Sequence, residues 1–220
     1  MEEQRISAFL DSLESGEAEY LETIEEEALN AHVPIIRKET GSFLKVLLKM
    51  KQPKKILEIG TAVGFSALIM SEYAPQATIT TIENYAKRIH AARENFKRAG
   101  KDSVIRLIEG DAAKVLKKLK GTYDFVFLDA AKAQYLYYLE DILTHMDKGG
   151  IIVTDNVLQE GDVLESRFAV RRRDRTIHAR MRKYLYEIKH RKELMTSIIP
   201  LGDGVAVSVY LGKESGNTEE

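Results

Sequence analysis

The chain has 220 residues, 44% of them hydrophobic and 30% charged, with a net charge of −1 and no cysteine. That balance describes one globular domain over residues 1–220, with enough apolar mass for a core, and it excludes disulfides and thiolate metal sites. No apolar run is long enough to span a membrane, and the acidic opening Met1-Glu2-Glu3-Gln4 has neither signal nor transit character, so a cytoplasmic location is expected.

Residues 1–50 read as a helical cap. Ile6, Phe9, Leu10 and Leu13 recur at helical spacing, and so do Tyr20, Leu21, Ile24 and Ala28. This predicts two amphipathic helices over the main sheet, broken near Gly16. Val33-Pro34-Ile35-Ile36 reads as an extended link, because a residue before proline avoids the helical region. Thr40 to Met50 predicts a third helix with Phe43, Leu44, Leu47 and Leu48 inward, ended by Pro53.

Over residues 51–212 strands then alternate with helices. Strands are expected at Ile56–Ile59, Thr78–Glu83, Val104–Glu109, Tyr123–Leu128 and Ile151–Thr154. Helices are expected at Ser66–Tyr73, Ala86–Ala99, Ala112–Leu119 and Tyr135–His145. This βαβ repetition demands a parallel sheet with helices on both faces. Val163 to Leu194 reads as helical and basic. Ser197–Leu201 and Val205–Leu211 read as two strands about the tight turn Gly202-Asp203-Gly204. The expected fold class is α/β, a seven-stranded, mostly parallel sheet ending in an antiparallel hairpin. Residues 213–220 are polar and expected to fray.

In open α/β sheets, ligands bind beyond the carboxyl ends of the strands, so the residues that follow each strand are the candidates. After the first come Gly60 to Ser66, a glycine turn into a helix, which is the form of a nucleotide-type cofactor site. A dinucleotide fingerprint needs glycines where this chain has Ala62 and Phe65. Glu58 sets a negative charge beside the loop. That suits a cationic ligand without phosphate, such as S-adenosylmethionine, although the same stretch also serves as an ordinary strand-to-helix turn. Strand two ends in Glu83, 23 positions after Gly60, where an acid accepts both ribose hydroxyls. Asp111 and Ala112 follow strand three, placed for an adenine amino group; a helix N-cap accounts for Asp111 equally well. Asp129, Asp155 and Asn156 end strands four and five. Three oxygen ligands from adjacent strand ends suit a hard divalent cation such as Mg²⁺. Lys132, three residues past Asp129, is placed as a general base. The five histidines are scattered and read as structural.

Four ordered stretches carry a resemblance. They are Leu57-Glu58-Ile59-Gly60-Thr61-Ala62-Val63-Gly64-Phe65-Ser66, Phe127-Leu128-Asp129-Ala130-Ala131-Lys132, Thr154-Asp155-Asn156-Val157 and Pro200-Leu201-Gly202-Asp203-Gly204. Together they resemble the divalent-metal-dependent class I O-methyltransferases, the family of the catechol and caffeoyl-CoA enzymes. The resemblance implies a Rossmann-like class I methyltransferase fold and a homodimer. It implies that Ile36, Glu58, Gly60, Ser66, Glu83, Asp111, Ala112 and Asp129 line an S-adenosylmethionine site. It further implies Mg²⁺ or Mn²⁺ on Asp129, Asp155 and Asn156, and a catalytic pair of Lys132 and Asp129.

The acceptor is read from the segment that follows. Between Arg167 and Lys192 lie eleven Lys or Arg and two acids, a local +9. A run of arginines is commonly a solvated helix face. Beside an active site it also suits a polyanion such as RNA, with Arg171, Arg172, Arg173 and Arg175 as contacts and Tyr184 and Tyr186 as stacking surfaces. Within the family the likeness is strongest to bacterial enzymes that convert wobble 5-hydroxyuridine of tRNA to 5-methoxyuridine. The matching stretches are Val33–Ile36, the arginine run and Ile199–Gly204. That likeness implies the tRNA anticodon loop as partner. The alternatives are a small catechol-like or caffeoyl-CoA-like phenol as acceptor, and a non-catalytic RNA-binding module.

Overall fold

The computed structural model describes residues 2–213; most of the expected frayed tail, from residue 214 on, lies outside the described residues. The chain separates into two compact units, one running to Val115 and one starting at Leu116. The first contains α1 (Glu2–Asp11), α2 (Glu19–Asn30), α3 (Lys38–Lys51), β1 (Lys55–Ile59), α4 (Phe65–Tyr73), β2 (Thr78–Glu83), α5 (Ala86–Arg98) and β3 (Ile105–Glu109), and it ends one residue before the last of α6 (Ala112–Leu116). The second contains β4 (Tyr123–Leu128), α7 (Tyr135–Thr144), β5 (Met146–Thr154), α8 (Arg175–His190), β6 (Leu194–Ile199) and β7 (Val205–Tyr210).

The strands form a seven-stranded sheet in the order β3-β2-β1-β4-β5-β7-β6. In the first unit β1 pairs with β2, and β2 with β3, both in parallel. In the second, β4 and β5 are parallel, while β7 runs antiparallel to both β5 and β6. The expected α/β class with a C-terminal antiparallel hairpin therefore holds. Ile56, Leu57 and Ile59 of β1 and Phe125 to Leu128 of β4 are wholly buried, as continuous apolar runs in parallel strands should be. No helix of the described residues is long and apolar enough to cross a membrane.

Five elements differ from the sequence expectation; one is α6, which ends at Leu116, three residues short of the expected Leu119. The apolar side chains of α1 and the residues after it do not cap a core: Ile6, Phe9, Leu10 and Leu13 are all exposed, whereas Leu21, Ile24 and Ala28 of α2 are buried. Periodicity predicts a helix, but it does not say whether a neighbour covers the apolar side. β5 starts at Met146, five residues early. Tyr123 pairs with Met146 and Phe125 with Ile151, so Gly149 and Gly150 lie in a bulge, with Gly149 at φ +78°. β6 starts three residues early, at Leu194.

The basic segment is the largest correction. It is not helical from Val163; α8 begins only at Arg175. Before it, Gln159–Leu164 forms short 3₁₀ turns broken at Glu160 and Gly161, whose φ values are +53° and +90°. The loop's carbonyls are satisfied by side chains of α8 instead of by helical bonding. Arg175 donates to Val170 O and Phe168 O, Arg182 to Val163 O, and His178 Nε2 lies 3.1 Å from Glu165 O.

Gly64, at the start of α4, has φ +85°, and a Cβ there would lie 2.4 Å from Phe96 Cε1. Both the backbone and the space require glycine. Gly64→Ala is expected to cost about 2–3 kcal/mol and to lower the melting temperature by roughly 4–12 °C in a chain of this size. A thermal melt that matches wild type would contradict this packing.

Candidate active site

In the first unit, β1 delivers Glu58 with none of its surface exposed. Two hydroxyls answer its carboxylate. Ser66 Oγ donates to Oε1 and Thr81 Oγ1 to Oε2, each at 2.5 Å. Thr61 Oγ1 lies 2.5 Å from Thr81 Oγ1 and extends the network. The charge expected beside the loop is thus a buried carboxylate that joins β1, β2 and the start of α4. Neither threonine was expected at the site.

The glycine turn is fixed by backbone bonds. Gly60 N donates to Ile82 O at 3.0 Å, and Gly64 N to Thr61 O at 2.8 Å. Gly60 has φ +101° and Ala62 +46°. Glu83, at the end of β2, is buried and holds the turn. Its Oε2 accepts Ala62 N at 2.9 Å, and its Oε1 accepts Asn84 N at 2.9 Å and Tyr85 N at 3.0 Å. A carboxylate offers roughly four lone-pair positions, and these three donors leave about one. Glu83 therefore has room for one ribose hydroxyl, and for the expected second only if Ala62 N releases it. Asp111 is exposed, and its Oδ1 accepts Lys114 N at 3.3 Å, a long N-cap contact on α6, with Ala112 next to it. Ile36 is buried and borders a cavity of about 190 Å³ with Gly41, Phe65, Ile69, Glu17 and Lys45.

In the second unit, Asp129 follows β4, and Asp155 and Asn156 follow β5. Asp155 is 1% exposed. Its N–H donates to Leu128 O at 3.0 Å, and its Oδ1 accepts Asn156 N at 2.7 Å. Asn156 has φ +56°, a left-handed conformation that Asn tolerates better than most residues. Burial pushes the Asp155 carboxyl up to about 7, and the charge of Asp129 adds to the effect. Tyr135 braces both segments: its hydroxyl accepts Ala130 N and donates to Asp155 O, each at 3.3 Å. Its ring meets Tyr184 edge-on at 5.6 Å. Burial raises the Tyr135 phenol well above its ordinary range, so it stays a neutral donor.

No group of three or more His, Cys, Asp and Glu side chains that could hold a metal ion occurs among the described residues. Two carboxylates and the Asn156 amide are the oxygens on offer. They fit a divalent cation, because a buried acid crowded by a second acid lacks positive charge.

Lys132 opens a 3₁₀ turn, Lys132–Gln134. Its Nζ donates to Asp203 Oδ2 at 3.2 Å, and Glu160 N donates to Asp203 Oδ1. Asp203, in the turn between β6 and β7, was not an expected site residue. Its one signal in the sequence is an acid set between two glycines. Lys132, Gln159, Glu160, Asp162, Asp174 and Ile177 border an open cavity of about 350 Å³.

Known proteins share this arrangement of elements. The family profile described as O-methyltransferase matches residues 11–210. The chain belongs to the O-methyltransferase family. The catechol O-methyltransferase of Mycobacterium tuberculosis is 33% identical over 163 residues, which covers 72% of this chain and 74% of that protein. The flavonoid 3',5'-methyltransferase of Vitis vinifera is 33% identical over 187 residues, covering 80% and 77%. The crystal structure of the SAH-bound Podospora anserina methyltransferase PaMTH1 superposes with a TM-score of 0.84 at 29% identity, covering 94% of each chain. The protein is accordingly an S-adenosylmethionine-dependent O-methyltransferase.

In this methyltransferase the basic segment divides into two groups. Arg175 and Arg182 are tied to loop carbonyls, as described, and Arg180 donates to Ala133 O at 3.1 Å. Arg171, Arg172 and Arg173 are exposed, and Arg173 lies 3.5 Å from Asp174. Tyr184 is not a stacking surface: it is buried and lies 2.6 Å from Thr154 Oγ1. Tyr186 is exposed but stacks on His190, with ring centroids 3.9 Å apart.

The raised Asp155 fixes a pH dependence. The folded chain keeps this proton up to about pH 7, whereas an ordinary Asp releases it near 3.8. Between those values the folded state binds more protons, so stability falls as pH rises, and the cost is complete above about pH 7. In chelator-treated protein the melting temperature of wild type is expected to fall across that window more steeply than that of Asp155→Asn. The variant should be the more stable by a few degrees near pH 8. Parallel pH profiles for the two proteins would remove this account of Asp155.

Proposed function

We propose that the protein transfers the methyl group of S-adenosylmethionine to one hydroxyl of an acceptor that carries a second oxygen on the adjacent carbon, a catechol-like phenol. The observation that carries this reading is the grouping of Asp129, Asp155 and Lys132. It sets two crowded acids, one of them buried, near an amine with its own carboxylate partner. The catechol and flavonoid names of the relatives support the acceptor class.

Asp129, Asp155 and Asn156 would hold Mg²⁺ or Mn²⁺. Bound there, the cation would supply Lewis acidity, lowering the pKa of a hydroxyl that it shares with the neighbouring oxygen. Lys132 Nζ takes the proton from that hydroxyl. An oxygen lone pair then bonds to the methyl carbon. The S–CH₃ bond breaks with its electrons left on sulfur, giving S-adenosylhomocysteine. Ser66 and Thr81, held by Glu58, keep the donor turn rigid, and Glu83 accepts a ribose hydroxyl. Much of the rate then comes from holding donor and acceptor in attack geometry.

With labelled S-adenosylmethionine and a catechol, methyl transfer to oxygen is expected. Lys132→Ala should lower kcat by about 10²–10⁴-fold while donor affinity stays at the wild-type value. A Lys132→Ala enzyme with wild-type kcat would end the assignment of the base.

The exposed Arg171, Arg172 and Arg173 favour a second reading, in which the acceptor is 5-hydroxyuridine at the wobble position of tRNA. Its O5 and O4 form the same adjacent oxygen pair, and a single-stranded loop leaves the base free to enter a pocket. Under this reading, hydroxyuridine-containing tRNA is methylated. Changing all three arginines to Glu should raise the KM for tRNA at least about tenfold without altering catechol kinetics. Transfer to the catechol alone would exclude tRNA as the acceptor.

A further inference from the structure

We propose that Asp203 is a positioning residue for methyl transfer, holding Lys132 and the Gln159–Glu160 turn in one fixed arrangement at the edge of the acceptor cavity. This deepens the proposed function and rests on its assignment of Lys132 as the base. The side chain of Asp203 is 4% exposed and that of Lys132 31%. One oxygen of the carboxylate takes Lys132 Nζ at 3.2 Å, and the other takes Glu160 N. Asp203 makes both contacts from a distant part of the chain, 71 residues from Lys132 and 43 from Glu160.

The backbone of Asp203 is committed as firmly. Asp203 O accepts Leu158 N, and Gly204 O accepts Val157 N, each at 2.9 Å. A Cβ on Gly204 would lie 2.3 Å from Leu158 Cγ, so nothing larger than glycine lets the two segments approach this closely. The turn between β6 and β7 is thereby fastened to the two residues that follow Asn156. Next in sequence, Gln159 and Glu160 have φ values of +52° and +53°. Two successive non-glycine residues in this region persist only where their surroundings over-determine them. The hydrogen bond from Glu160 N to Asp203 is one such restraint. Gln159 Oε1 is buried without a hydrogen-bond partner among the described residues, and Gln159 and Lys132 both line the same cavity.

The chemistry follows from charge. When Nζ takes the acceptor's proton it becomes an ammonium, and the buried Asp203 carboxylate is already in place to meet that charge. An acid that orients a base works by holding it in place.

A double-mutant cycle tests this. Asp203→Asn is expected to lower kcat roughly 10- to 100-fold, because a base that is mispositioned by about 1 Å loses that much. The affinity for S-adenosylhomocysteine, measured by calorimetry, should stay at the wild-type value and confirm the fold. In a Lys132→Ala background the same substitution should change the residual kcat by less than about twofold, since the group it positions is gone. If Asp203→Asn does not fold, Asp203→Glu carries the same cycle. An equal fold-loss in both backgrounds would show that Asp203 acts through the fold alone and would overturn the proposal, as would an unchanged kcat. Lys132→Ala at wild-type rate overturns it by a separate route, since the base itself is then misassigned.

Discussion

A carboxylate kept out of water must find compensation, and this chain meets that constraint in two opposite ways. Glu58 is fully buried and receives a hydroxyl on each oxygen. Its charge becomes part of the scaffold that joins β1, β2 and α4. Asp155 is almost as deeply buried, but the bond from Asn156 N and the distant help of Lys132 leave it under-compensated beside Asp129. An uncompensated buried charge costs several kcal/mol, so Asp155 holds its proton to a higher pH than an ordinary carboxyl. The first acid is compensated by hydroxyls, and the second by keeping its proton.

The distinction was invisible in the sequence, although both acids were picked out there. Strand-end position located Glu58, Glu83, Asp129, Asp155 and Asn156, because parallel strands in an α/β sheet present their carboxyl ends to ligands. Position does not reveal partners. Ser66 was expected to meet a ligand, yet in the structure it serves Glu58. Glu83 was given two ribose hydroxyls, but three backbone donors already crowd it. Asp203 was given no role because its partners lie 71 and 43 residues away, and Tyr135 because it opens a helix instead of ending a strand. The helix expected from Val163 failed for a similar reason. Composition there is favourable to helix, but a set of arginine-to-carbonyl ties overrides it.

Those ties also change the meaning of the basic segment. Counted along the chain it is a single block of charge. In the structure Arg175, Arg180 and Arg182 close the loop onto α8 and the turn after β4, and Arg191 pairs with Glu140. What remains exposed for an anionic partner is Arg167, the run Arg171 to Arg173, and Lys183. The cavity that Lys132 lines carries the opposite sign, with Glu160, Asp162 and Asp174 on its border. A polyanionic acceptor must therefore keep its phosphates on the arginines and insert only a neutral base, whereas a small uncharged phenol meets no such restriction.

The bulge in β5 has a structural use of its own. Three more residues separate Met146 from Ile151 than separate their partners Tyr123 and Phe125, and Gly149 and Gly150 absorb the excess. Side chains alternate along a strand, so a slip of one position would turn Asp155 to the wrong side. Pairing is regular again from Phe125 and Ile151 to Leu128 and Thr154, next to Asp155. The irregularity is therefore confined to the start of the strand, away from the acid nine residues from the strand's first residue.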